Sequence, residues 1–227
     1  MRIILPNKLM HKKNGAIVYK TINGRLSQKV VGHINSVITA GGIMVFPTDT
    51  VYGIGCSPFS YSSVKRIYAI KKRSFRKQLI LLGGTFSQVR PFIEFSHEEL
   101  GIQRLLSRFC PGPLTLVFKT SELGKMITGG KDTVGVRIPG KCVFTSLLAQ
   151  MGIPMLTTSA NLSNQVNTVD GSTAKKIFCN KVDIIIDNGR IKKGIASTVI
   201  DVTAYPYTVI REGCIPKGMV YEVSKNS

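Results

Sequence analysis

The sequence predicts an α/β protein built on a mixed sheet with flanking helices. Short apolar runs rich in β-branched residues, such as Ile43-Met44-Val45-Phe46 and Leu114-Thr115-Leu116-Val117-Phe118, alternate with segments of helical period. Toward the C-terminus some neighbouring strands have no helix between them, so the sheet cannot be wholly parallel. The chain has 227 residues and is 43% hydrophobic, enough for one domain with a substantial core; two small domains remain an alternative.

Taken in order, residues 15–20 (GAIVYK) read as a first short strand. From Ser27 to Ala40 the residues Val30, Val31, Ile34, Val37 and Ile38 share one helical face, and Gly41-Gly42 stops the helix. Strand 43–46 then exits through Pro47 into a polar loop, within the stretch FPTDTVYGIG (46–55). A bare turn needs only Pro, Gly, Asn or Asp. Two threonines, an aspartate and a tyrosine at a strand end mark a place where α/β sheets put ligands.

A helix over 62–73 turns Val64, Ile67, Tyr68 and Ile70 inward, and strand 79–82 follows. Ser96 and Glu99 have capping-box spacing for a helix running to about Phe109, which Cys110-Pro111-Gly112-Pro113 ends before strand 114–118. Further strands fall at 133–138, 153–156, 183–187, 197–202 and 207–211, with helices near 143–151 and 172–178. There is no internal repeat, low-complexity tract or interdomain linker.

Lys and Arg number 31 against 12 Asp and Glu, a net charge of +19. Such a field draws polyanions: nucleic acid, nucleotides or an acidic membrane surface. A solubility role is equally open from charge alone. The five cysteines (Cys56, Cys110, Cys142, Cys179, Cys214) contain no C-x-x-C pair, and His11, His33 and His97 have no metal-ligand spacing, so no metal site is expected. Apolar runs such as Leu79-Ile80-Leu81-Leu82 are too short to cross a bilayer. Pro6 and Asn7 interrupt the N-terminal apolar run, and the expected home is a reducing cytoplasm.

Several polar groups exceed what a fold requires. Lys71-Lys72-Arg73-Ser74-Phe75-Arg76-Lys77 packs five cations into seven positions at a helix C-terminus. The helix dipole favours cations there by about 0.3–1 kcal/mol each, which accounts comfortably for two. An anionic ligand accounts for the rest. Thr157-Thr158-Ser159-Ala160-Asn161-Leu162-Ser163-Asn164 follows a strand and reads either as a self-capping loop or as a site. Ser197-Thr198 and Arg211 also flank apolar stretches. Arg137, inside the apolar run 134–139, needs a carboxylate or phosphate partner. Neither a P-loop nor a G-x-G-x-x-G fingerprint is present, and no Ser–His–Asp set or acidic dyad suggests itself.

In combination these clusters resemble the threonylcarbamoyl-AMP synthase family, the YrdC/Sua5/TsaC-like proteins. The motifs are PTDTVYGIG (47–55), Lys71-x-Arg73, PGPLTLV (111–117), VGVRIP (134–139), SANLS (159–163), STV (197–199) and Arg211-x-Gly213. The resemblance spans about 27–213, leaving an N-terminal segment 1–26 and a C-terminal tail 214–227. It implies a single twisted α/β domain around a basic cavity, in a chain lacking the longer relatives' extra C-terminal domain. The implied enzyme is a nucleotidyltransferase. It joins L-threonine, bicarbonate and ATP, with Mg²⁺, into threonylcarbamoyl-AMP and pyrophosphate. A separate transferase then modifies tRNA adenosine.

By the same resemblance Lys71 and Arg73 carry catalysis and hold the triphosphate, with Arg76 or Lys77 nearby. Thr48, Tyr52, Arg137, Thr157 and Ser197 bind threonine. Thr115, Ser159, Asn161, Asn167 and Arg211 serve ATP, and the motif glycines let backbone approach ligand. The sequence departs from the family pattern at Gln78, Leu82, Cys110, Asn164, Ala196 and Glu212. Two other readings compete: a non-catalytic double-stranded RNA or tRNA binder using the same basic concavity, and a carbamoyl-adenylate-forming relative.

Overall fold

The computed structural model describes residues 15–96, 99–162, 166–192 and 194–225. His11, His97, Ser163 and Asn164 lie outside the described residues. The strands are β1 (Ile17–Lys20), β2 (Ile43–Pro47), β3 (Tyr52–Cys56), β4 (Ile80–Leu82), β5 (Leu114–Lys119), β6 (Thr133–Arg137), β7 (Met155–Ser159), β8 (Ile184–Asp187), β9 (Thr198–Asp201) and β10 (Thr208–Arg211). The α-helices are α1 (Gln28–Thr39), α2 (Tyr61–Lys71), α3 (Phe86–Val89), α4 (Leu100–Phe109), α5 (Glu122–Thr128), α6 (Val143–Met151), α7 (Gly171–Phe178) and α8 (Lys217–Ser224).

All ten strands join one mixed sheet in the order β1-β8-β2-β3-β7-β4-β6-β5-β9-β10. Pairing is parallel at β1-β8, β8-β2, β4-β6 and β5-β9. It is antiparallel at β2-β3, β3-β7, β7-β4, β6-β5 and β9-β10. The α/β class with a mixed sheet is therefore the fold.

Side chains alternate across the sheet, and the alternation divides the molecule. One face carries Val45, Ile54, Leu81, Leu116, Val134, Leu156 and Ile200 into the larger core, which α2, α4, α5, α7 and α8 cover. The other face carries Met44, Phe46, Ile184 and Ile186 into a second core under α1 and α6. Those two helices cover β8 and β2 and reach across to Met155 of β7 and Leu82 of β4. Beyond them, the second face is open and holds the site.

Four expectations change. FPTDTVYGIG is a hairpin, not a strand followed by a loop: Pro47 pairs with Tyr52 and Phe46 with Gly53. Thr48 Oγ1 makes the turn by accepting from the amides of Thr50 (3.1 Å) and Val51 (3.2 Å). The strand expected at 153–156 lies at Met155–Ser159, so Thr157, Thr158 and Ser159 are strand residues paired with Gly55, Ile54 and Gly53. The polarity of this run disguised it. α4 starts at Leu100 with Glu99 at its cap and no side-chain cap bond, so Ser96 does not form the capping box. Finally, residues 217–224 of the expected tail form α8, whose Val220 is fully buried. α3 and α5 were also missed, being only 4 and 7 residues long.

The glycines of the hairpin answer to their neighbours. A Cβ on Gly53 would stand 2.6 Å from the Phe46 ring, and one on Gly55 would stand 2.7 Å from Thr157 Cγ2. Phe46 in turn stacks on Phe144 of α6, with ring centroids 3.6 Å apart. Both rings are fully buried. Replacing Phe144 with Ala should therefore cost about 3–5 kcal/mol, read as a lower urea midpoint; a variant as stable as the parent would refute this packing role.

Candidate functional site

The open part of the second face forms a cavity of about 670 Å³. Its floor is the outward alternation of six strands, where the small or hydroxylated Gly53, Thr157, Gly135, Thr115 and Thr133 lie beside the apolar Ile80, Leu82, Val117 and Val199. A Cβ on Gly135 would stand 3.0 Å from Ile80 Cγ2 and 3.3 Å from Thr115 Cγ2, so larger residues would fill the floor. The floor residues' neighbours one position on, Leu81, Leu116, Val134, Val136 and Ile200, face the main core.

Arg137, the last residue of β6, is 5% exposed and spends three donors inside the protein. Nε donates to Gly112 O (2.9 Å), Nη1 to Thr50 Oγ1 (3.0 Å) and Nη2 to Asp49 Oδ1 (2.5 Å). A guanidinium has five N–H groups, so one remains on each terminal nitrogen. Burial lowers the pKa of Arg137, and the Asp49 carboxylate opposes that fall. The partner expected for this arginine is thus supplied by the hairpin turn.

Arg211 reaches the cavity from β10. Its Nε (3.2 Å) and Nη2 (2.8 Å) donate to Ser197 O, and Ser197 Oγ lies 2.9 Å from Thr115 Oγ1. Its pKa is lowered first by burial and then by the charges of Arg137 and Arg73. Arg73 is braced in the loop after α2, with Nε donating to Lys77 O (2.9 Å) and Nη2 to Gln78 O (3.0 Å). Three guanidiniums therefore share one cavity wall and repel each other. Asp201 is the carboxylate among the described lining residues. An arrangement of this kind is complementary to a polyanion.

Thr48, Tyr52, Arg73, Lys77, Thr115, Arg137, Thr157, Ser159, Asn167, Ser197 and Arg211 all line the cavity, as does Arg76. The Tyr52 hydroxyl, however, donates to Gly189 O (2.8 Å) and accepts from the Asn188 amide (3.1 Å). Burial lifts its pKa to about 12, against the lowering effect of that amide. Lys71 and Asn161 do not line the cavity. Lys71 is 1% exposed. Its ammonium donates to Ser159 O, to Asn161 O (2.6 Å) and to Asn161 Oδ1 (3.2 Å). It thus braces the turn after β7 from below. Sequence reasoning marked Asp49 and Thr50 as polar loop residues at a strand end but gave them no role, and it missed Asp201. For Asp201 the available signal was strand parity, because it alternates with Ile200 onto the cavity face.

The family model for Sua5, YciO and YrdC proteins, described as "Telomere recombination", matches residues 36–213. The chain belongs to this family. A family relative from Pyrococcus abyssi, a threonylcarbamoyl-AMP synthase, is 37% identical over 180 residues, 79% of this chain and 52% of its own length. One from Methanocaldococcus jannaschii is 30% identical over 207 residues, 91% of this chain and 97% of its own. The chain thus spans about half of the first relative and nearly all of the second. Among solved structures, P. abyssi Sua5 in complex with L-threonine superposes with a TM-score of 0.82 at 33% identity, covering 92% of this chain and 60% of that one. E. coli YciO superposes with 0.79 at 25% identity, covering 88% and 96%.

The brace under β7 is directly testable. Three carbonyl oxygens around Nζ suit the three N–H groups of an ammonium, whereas burial and the charge of Arg73 bring the Lys71 pKa down to about 7. Lys71→Met should lower stability by about 1–3 kcal/mol, because buried acceptors lose their donor. Since the folded value lies below the ordinary 10.5, the unfolded chain holds more protons between the two. The contribution of Lys71 then grows as pH rises from about 7. Urea melts should show the gap between parent and variant widening from pH 7 toward about 9; a flat gap would mean that the carbonyls hold the proton.

Proposed function

We propose that this chain is an L-threonylcarbamoyladenylate synthase, forming threonylcarbamoyl-AMP and pyrophosphate from L-threonine, bicarbonate and ATP. The observation that carries the reading is the cavity wall on which Arg73, Arg137 and Arg211 converge, with only Arg137 ion-paired to a carboxylate among the described residues. Family membership and the L-threonine complex of the P. abyssi protein support it.

In this reading, the two unspent N–H groups of Arg137 take the carboxylate of threonine, and Thr48, Thr157 and Ser197 surround its side chain. Arg73, Arg76, Lys77 and Arg211 hold the triphosphate, with Thr115, Ser159 and Asn167 around the nucleotide. Mg²⁺ enters as part of the nucleotide substrate. The amine of threonine and bicarbonate condense to a carbamate with loss of water. A carbamate oxygen attacks the α-phosphorus, and the bond to the β-phosphate oxygen breaks as pyrophosphate leaves. Charge gathers on phosphoryl oxygens, where fixed guanidiniums stabilise it. Lys71 and Asn161 act from beneath, by keeping Ser159 in place. The reaction belongs in the cytoplasm, and a separate transferase carries the product to tRNA.

Arg73→Ala should weaken nucleotide binding by about 1–3 kcal/mol, while Lys72→Ala, at an exposed position, should change it little. Equal losses in an ATP titration would mean a diffuse basic surface instead of a site. Pyrophosphate release should require threonine, bicarbonate and MgATP together and no tRNA, and labelled bicarbonate should enter the adenylate. Full turnover in degassed, bicarbonate-free buffer would exclude the carbamate route, and RNA binding without any turnover would favour the binder.

A further inference from the structure

Asp49 has no part in the chemistry above, yet it is the carboxylate paired with a cavity arginine. Its Oδ1 accepts from Arg137 Nη2 at 2.5 Å, and its side chain is 15% exposed. The carboxylate lies against Gly140, where a Cβ would stand 3.0 Å from Oδ2 and 3.4 Å from the Cβ of Asp49. Glycine at 140 thus gives the aspartate its room. Arg73 and Arg211, by contrast, donate to backbone carbonyls and to Ser197 and form no ion pair among the described residues. The other acid, Asp201, is engaged at Oδ1 by the amide (2.9 Å) and hydroxyl (2.7 Å) of Thr203. Charge in the cavity is therefore uneven. It is balanced where the hairpin turn meets β6 and net positive toward Arg73, Arg76, Lys77 and Arg211, four cations that outnumber the carboxylate of Asp201.

We infer that Asp49 determines specificity: by neutralising Arg137 through a buried ion pair, it makes that end of the cavity complementary to a zwitterionic amino acid and unattractive to phosphate. A phosphate group there would meet a carboxylate within one guanidinium's width, with no net cation to offset the repulsion. An amino acid presents one carboxylate to the two unspent Arg137 donors and an amino group to the field of Asp49. Discrimination of this kind comes from a repulsive element beside the attractive one. It also prevents polyphosphate from settling in the amino-acid end and leaving the α-phosphorus out of reach. The inference rests on the assignment of threonine to Arg137.

Calorimetric titration of the full chain separates the possibilities, with L-threonine and inorganic pyrophosphate as probes. In the parent protein, pyrophosphate should bind without displacing threonine. Asp49→Asn keeps the shape and removes the charge. It should raise the threonine Kd by about tenfold or more and make pyrophosphate competitive with threonine. Gly140→Ala, which displaces the carboxylate without removing it, should shift both in the same direction by less, and it serves as the test if Asp49→Asn does not fold. Competition already present in the parent, or none gained by folded Asp49→Asn, would overturn the inference. Arg137→Ala tells the two readings apart. If it leaves threonine binding intact, the threonine assignment and this inference fail together. If it abolishes threonine binding while Asp49→Asn changes nothing, only the role of Asp49 fails.

Discussion

The site depends on one buried cation being shared by distant parts of the chain. Arg137 ends β6, and its guanidinium holds Gly112 O ahead of β5 as well as Thr50 and Asp49 in the β2–β3 turn. Those partners are 25 to 88 residues away in sequence. The hairpin and β6 are separated in the sheet by β7 and β4, so these bonds require the sheet to curl. Curling makes the second face concave. A buried ion pair contributes little net stability, because desolvation offsets most of its attraction. What this pair fixes is geometry: a flat sheet would leave the same side chains spread along a surface.

The concavity also needs floor space, which comes from what the strands omit. Gly53, Gly55 and Gly135 lie on the cavity face, and each would drive a Cβ into a neighbouring side chain. On the opposite face the same strands carry Ile54, Val134 and Val136 into the main core. One alternating pattern thus builds the core and clears the site. The second core under α1 and α6 completes the arrangement by anchoring the hairpin, since Phe46 pairs with Gly53 and stacks on Phe144.

Much of this was legible in the sequence. Strand β5 and helices α1 and α6 were read nearly to the residue because their apolar periods are strong and end in clear stops. The site was legible as clusters of hydroxyls and cations too dense for loops alone. What failed has physical causes. β3 carries two glycines, and β7 ends in Thr-Thr-Ser, so neither looks apolar even though both are central strands, the glycines making room for Phe46 and Thr157. Asp49 reads as a turn former in PTDT, and nothing local shows that its partner comes from residue 137. Lys71 looks like one more cation of a basic cluster. Only the fold shows that its ammonium is buried beneath Ser159 and Asn161, whereas Arg73 reaches the cavity.

That difference between Lys71 and Arg73 shows how the wall is assembled. Both come from the end of α2, where the chain leaves the helix through Lys72 in the left-handed region, at φ 49°. The reversal of backbone there sends cations two positions apart to different places: Lys71 down to the turn after β7, Arg73 up to the cavity. The charge of Lys71 is absorbed by carbonyl oxygens it can reach only from below. The charge of Arg73 is left facing Arg211, which the geometry tolerates because backbone carbonyls brace both guanidiniums at their edges. Bracing by neutral acceptors fixes position without cancelling charge. Within one cavity the fold therefore uses carbonyls where an uncompensated cation is wanted and a carboxylate where it is not.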